Sequence, residues 1–105
     1  MGLPMTDNDW RNEDTAALFD AILRLETRDE AAAFFRDLCT RRELEEMRQR
    51  WAVARLLTTH LPYREISDQT GVSTATFTRI NQWLQHGAGG YRLLLDRLGY
   101  SEYDQ

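Results

Sequence analysis

A chain of 105 residues has room for one domain around one core, and 42% hydrophobic with 29% charged residues excludes wholesale disorder. No apolar run approaches the ~18 residues that cross a bilayer, and none follows Met1 as a leader would, so the expectation is a cytoplasmic protein with no membrane partner. A single cysteine, Cys39, excludes an internal disulfide and a multi-cysteine zinc site, and a net charge of −4 argues against coating nucleic acid by bulk charge alone.

The pattern is helical from end to end. Residues 1–13 are acidic and read as a flexible N-terminal arm, with Trp10 the residue suited to dock on a partner. Leu18, Phe19, Ile22, Leu23 and Leu25 keep helical spacing and predict a helix over about residues 14–26. Two Thr-x-x-Glu capping boxes follow, Thr27-Arg28-Asp29-Glu30 and Thr40-Arg41-Arg42-Glu43. In each, the threonine hydroxyl can accept from the amide three residues on while the glutamate reaches back to the cap amide. A second helix, carrying Ala31, Phe34, Phe35 and Leu38, therefore ends near Cys39 where a third begins.

The third helix is predicted over about residues 41–59. Leu44, Met47, Trp51, Ala54 and Thr58 form one stripe, and Val53, Leu56 and Leu57 widen it. So broad a face in so short a chain points to homodimerisation. Pro62 suits the first turn of a fourth helix and Gly71 its left-handed stop. Ser73 can cap a fifth helix running to about residue 86. Gly87-Ala88-Gly89-Gly90 then breaks the chain before a last helix over 91–98, ahead of Gly99 and a tail of residues 100–105. No period-two run or hairpin turn competes, so the fold class is all-α, with a helical domain over 14–99.

Function concentrates in residues 63–84. A helix-turn-helix needs an apolar residue and a small one in its first helix and a residue tolerant of positive φ in the turn. It then needs two apolar residues in its second helix. Ile66, Ser67, Gly71, Phe77 and Ile80 meet these requirements at the right offsets, with Val72 packing after the turn. An ordinary helical hairpin shares that geometry. The exposed positions favour DNA: Ser73, Thr74, Ala75, Thr76, Thr78 and Arg79 open the second helix with mostly small side chains suited to a major groove, and Arg64 can reach a phosphate or a guanine edge. Charge distribution agrees, since residues 1–35 carry a net −5, residues 36–92 a net +3 and the last thirteen −2.

At this point the chain resembles a known family. Ser73-Thr74-Ala75-Thr76-Phe77-Thr78-Arg79 is similar to the reading-helix motif of the Trp repressor superfamily. Phe34-Phe35-Arg36-Asp37-Leu38-Cys39-Thr40, residues 50–57, and His86-Gly87 with Gly90-Tyr91 and Leu95-Asp96-Arg97-Leu98 resemble its YerC/YecD branch of Trp-repressor-related proteins. The resemblance spans roughly residues 15–98. It implies a six-helix, intertwined homodimer that reads double-stranded DNA as a transcriptional regulator, a repressor by analogy. It also implies base and backbone contacts by Arg64, Ser73, Thr74, Ala75 and Thr78, with Arg79 alongside.

In the Trp repressor, tryptophan lies between two arginines, one from each subunit, that match Arg50 and Arg79, with Thr40 at a third pocket position. Where that family leaves room with a glycine and a serine, this chain has Ile80 and Trp83. The expectation is an altered pocket formed by Thr40, Arg50, Arg79, Ile80 and Trp83 that does not take free tryptophan. Trp83, one turn beyond Arg79, could lay its indole on that guanidinium, or could simply be core. Asn81 and Gln82 replace basic residues usual in the branch, which predicts weaker, less salt-dependent DNA binding unless Arg36, Arg41, Arg42, Arg48 or Arg55 compensate. Several of these arginines have glutamate neighbours, Glu43, Glu45 and Glu46, with which to pair.

Two other functions stay open: a protein-interaction module of helix-turn-helix shape with little DNA affinity, and a regulator sensing another small molecule. An enzyme is not expected. Cys39, His60 and His86 are the only candidates for nucleophile, base or soft metal ligand, and none lies within four residues of another. No catalytic residue, metal site or cofactor is assigned.

Overall fold

The computed structural model describes residues 10–100. Six helices follow in order: α1 (Glu13–Leu23), α2 (Arg28–Leu38), α3 (Arg41–Leu57), α4 (Tyr63–Thr70), α5 (Thr74–His86) and α6 (Gly90–Arg97), with no strand among the described residues. The described residues divide into two compact units that part between Thr40 and Arg41. The expected arm and tail fall largely on residues 1–9 and 101–105, outside the described residues.

The first unit is organised by its caps. Asn12 opens α1 by accepting from the Thr15 amide at 3.0 Å, and the Thr15 hydroxyl donates back to the Trp10 carbonyl. α1 ends at Leu23 rather than at residue 26, because the amides of Arg24 and Leu25 turn back onto Ala21 and Ile22 in three-residue bonds that tighten the last turn. Thr27 caps α2 as expected, accepting from the Glu30 amide at 3.0 Å. Glu30 departs from the expected box: its Oε1 accepts from the Glu26 amide at 2.9 Å, one residue outside the cap. Trp10 meets the edge of Phe19 in its own unit, with ring centroids 6.1 Å apart. Neither α1 nor α2 buries a side chain, and Leu23 is 79% exposed.

The second unit holds the core. Val53 and Ala54 from α3, Ile66 from α4, Val72 from the turn and Ile80 from α5 are buried together, with Trp51, Leu56, Leu57, Leu61, Phe77 and Tyr91 packed around them. α3 closes two residues before its expected end. The amides and hydroxyls of Thr58 and Thr59 all donate to the carbonyls of Arg55 and Leu56, and His60 follows with φ 64°. Pro62 stands at the N-cap of α4 (φ −67°, ψ 158°), not in its first turn; its carbonyl receives the Glu65 and Ile66 amides. α6 is tied down by Tyr91, which stacks on Trp51 at 6.3 Å, and by Arg92, whose Nε donates to the Leu84 carbonyl at 2.8 Å.

Candidate nucleic-acid interface

α4 and α5 form the expected helix-turn-helix, and each local choice has a visible cause. Gly71 adopts φ 73°, the left-handed conformation that an L side chain enters only at a cost, and its amide bonds the Ser67 carbonyl at 2.7 Å. Ser67, the small residue of the first helix, donates its hydroxyl to the Val72 carbonyl at 3.1 Å and so closes the turn from beneath. Gln49 of α3 donates to the Thr70 carbonyl at 3.1 Å, fastening the end of α4 to the long helix behind it. Ser73 then caps α5, accepting from the Thr76 amide at 3.2 Å. At the other end Gly87 has no room for a side chain, since a Cβ there would lie 2.4 Å from the Trp83 carbonyl oxygen.

Of the residues expected to contact DNA, Arg64, Ser73, Thr74, Ala75, Thr78 and Arg79 are all exposed. Thr76 turns inward instead: it is half-buried and lines a cleft of about 220 Å³ with Glu46, Gln49, Arg50, Arg79 and Trp83. Arg50 of α3 and Arg79 of α5 thus line one cleft within a single chain, whereas the expected pocket takes one arginine from each subunit.

Two pocket expectations change. Ile80 is fully buried in the core and does not line this cleft; it occupies the helix-turn-helix position that its spacing from Phe77 also predicted. Trp83 is 42% exposed in the single chain, so it is not part of that chain's core, and its ring lies under the Arg50 guanidinium at 5.9 Å rather than pairing with Arg79. Thr40 stands at the end of the first unit, immediately before α3.

The remaining arginines divide as their neighbours dictate. Arg42 pairs with Glu46 at 3.7 Å and Arg48 with Glu45 at 4.0 Å, both on the surface of α3. Arg36 donates to the Cys39 carbonyl at 3.1 Å. Arg55 has its Nε buried beside the turn that closes α3.

One residue of the interface escaped the sequence reading. Tyr63, at the head of α4, places its hydroxyl 2.7 Å from the Thr74 hydroxyl and its ring edge-on to Phe77, centroids 4.8 Å apart. Hydrogen bonds from Thr74, and secondly Ser67, hold its phenol below the ordinary 10.0, against the smaller opposing effects of desolvation and then the charge of Asp68. Tyr91 shows the reverse: burial pushes its phenol above 10.0, partly offset by the charge of Arg50. The signal for Tyr63 was an aromatic in the first turn of a helix-turn-helix, fourteen residues before an aromatic in the second helix.

Comparison with known proteins agrees with this geometry. The family model of the Trp repressor protein matches residues 13–99. The uncharacterized protein YerC of Bacillus subtilis is 39% identical over 92 residues, covering 88% of each chain. A candidate Trp repressor from Staphylococcus aureus superposes with a TM-score of 0.86 at 39% identity, over 93% of this chain and 98% of that one. A TrpR like protein from Eubacterium eligens gives 0.85 at 42% identity, over 89% and 96%. The chain belongs to the Trp repressor family.

Proposed function

We propose that this chain is a sequence-specific DNA-binding transcriptional regulator, a repressor rather than an enzyme, acting in the cytoplasm as a homodimer. The observation that carries the reading is α5 itself. It is capped by Ser73 on a left-handed Gly71 turn, fixed to the core by Ile80, and exposes Ser73, Thr74, Ala75, Thr78 and Arg79 beside Arg64. A helix so presented suits a major groove, with hydroxyls for phosphates and base edges and methyls for thymine. Among the described residues no helix is long and apolar enough to cross a membrane.

The dimer accounts for apolar side chains that the single chain leaves uncovered: Phe19, Leu23 and Leu38 in the first unit, and Leu93, Leu94 and Leu98 near the end of the second. Two reading heads related by a two-fold axis meet half-sites ~34 Å apart. Free tryptophan is not the effector in this reading. The indole of Trp83 already lies against Arg50, so the aromatic partner of that guanidinium is supplied by the chain. Only Trp83 now supports this exclusion, since Ile80 is core. The open cleft between Arg50 and Arg79 favours a second reading, in which a different small molecule bound there tunes the reading helix.

The test is selection from random duplexes at ~50 mM salt, where phosphate contacts are strong, with and without tryptophan. Enrichment of a palindrome with half-sites one helical turn apart, unchanged by tryptophan, is expected. Enrichment only with tryptophan overturns the effector claim. No enrichment at all moves the function to a protein-interaction module.

A further inference from the structure

We propose that Tyr63 is a positioning residue for base recognition, holding Thr74 so that its methyl group, not its hydroxyl, faces the DNA. The inference rests on the DNA-binding reading and deepens it. Tyr63 is fixed at two points of one face of α5: its hydroxyl meets Thr74 Oγ1 at 2.7 Å and its ring meets Phe77, three residues on, at an interplanar angle of 70°. Phe77 is packed against the buried core, so the ring of Tyr63 has a firm backing.

Stability does not explain the hydroxyl pair. Tyr63 is 36% exposed and Thr74 is exposed, so water competes for both groups and the bond adds little to folding. Its effect is on the rotamer. Threonine carries two branches on Cβ, and fixing Oγ1 fixes the methyl in a different staggered position. With Oγ1 turned to Tyr63, the branch left for an incoming partner is the methyl. A methyl in the major groove recognises the methyl of thymine by apolar contact. The pair therefore converts a residue that could read either chemistry into one that reads thymine at one base pair of each half-site.

The experiment is the same duplex selection run on the wild type, Tyr63→Phe, Thr74→Val and Thr74→Ser, with thermal unfolding of each to establish an intact fold. The wild type is expected to prefer thymine at one position per half-site. Thr74→Val, which retains a methyl and loses Oγ1, keeps that preference; Thr74→Ser, which retains the hydroxyl alone, loses it. Tyr63→Phe relaxes it by roughly threefold to tenfold at that position only, with the other positions and the salt slope unchanged. The proposal is overturned by a Tyr63→Phe profile identical to wild type, or by preference kept in Thr74→Ser and lost in Thr74→Val. It is equally overturned if Tyr63→Phe weakens all sequences evenly with a shallower salt slope, the mark of a phosphate contact. If the wild type selects no sequence, the DNA-binding reading itself fails and this inference falls with it; a selective wild type matched by Tyr63→Phe removes this inference alone.

Discussion

The two units of this chain use the same helical vocabulary to opposite ends. In the first, α1 and α2 are started by well-formed caps yet bury nothing. In the second, α3, α4 and α5 converge on Val53, Ala54, Ile66, Val72 and Ile80, and the helix-turn-helix stands on that core. Capping chemistry decides where a helix begins, but only interdigitated side chains decide where it is held. The helix-turn-helix thus carries its own support within one unit, whereas Phe19, Leu23 and Leu38 of the first unit remain exposed in the single chain, the surface that the proposed dimer would use.

The sharpest way to break this contrast is to remove apolar volume on each side of it. Ile80→Ala should cost about 2–5 kcal/mol in denaturant unfolding, the range for a fully buried branched aliphatic residue. Leu23→Ala, at a side chain 79% exposed, should change the stability of the dilute single chain by less than about 0.5 kcal/mol. It should instead lower the apparent association constant in analytical sedimentation. Comparable losses of stability for the two variants would abolish the distinction.

Gly71→Ala comes next, at about 1–2 kcal/mol. The added Cβ would meet only Gln49 Nε2, at an ordinary 3.8 Å, so the whole cost lies in the backbone at φ 73°. Gly71→Asn, which tolerates that conformation better, should recover part of it in the same thermal unfolding series. Smaller still, Ser73→Ala and Thr27→Ala each remove one cap bond and should each cost about 1 kcal/mol. Equal costs would show that caps act locally, whichever unit they serve; amide exchange at Thr76 and Glu30, the residues whose amides lose a partner, reports each one directly.

The smallest effects concern ionisation. In an ultraviolet titration, Tyr63→Phe should remove a component below 10.0 and Tyr91→Phe one above it. The signs follow from linkage. Tyr91, raised on folding, contributes stability below pH 10.0 that is lost as pH rises through its folded value, whereas the lowered Tyr63 contributes in full above 10.0 and loses that contribution as pH falls through its folded value. Thr74→Val should return the Tyr63 component toward 10.0, because the larger cause of its shift is then gone.

Much of this molecule is legible along the chain because its determinants are local. The caps at Thr27 and Ser73 and the stop at Gly71 each act over three or four residues, and the structure places them where their spacing does. Helix ends without such signals drifted: α1 and α3 stop early because amides and threonine hydroxyls turn back on the last carbonyls. The site was harder to read because its contacts cross between helices. Helical spacing joins Trp83 to Arg79, but the partner that the fold supplies is Arg50, thirty-three positions earlier on α3. Ile80 had two roles in the pattern, pocket wall and core, and only three-dimensional packing separates them. The Tyr63–Thr74 pair likewise exists only once the turn has brought two helix starts together.

Gly71 and Gly87 stand on either side of α5, one demanding a backbone that side chains resist and the other leaving no space for a Cβ. Between them α5 has fixed ends and an exposed face, like a key blank gripped at both edges. If the proposed DNA-binding function holds, exposed positions inside the cap, such as Thr74, Ala75 and Thr78, can be randomised to seek new operators without altering the length or register of the helix. A library built on this chain would hold 71 and 87 constant and spend its diversity on the few residues between them that face outward.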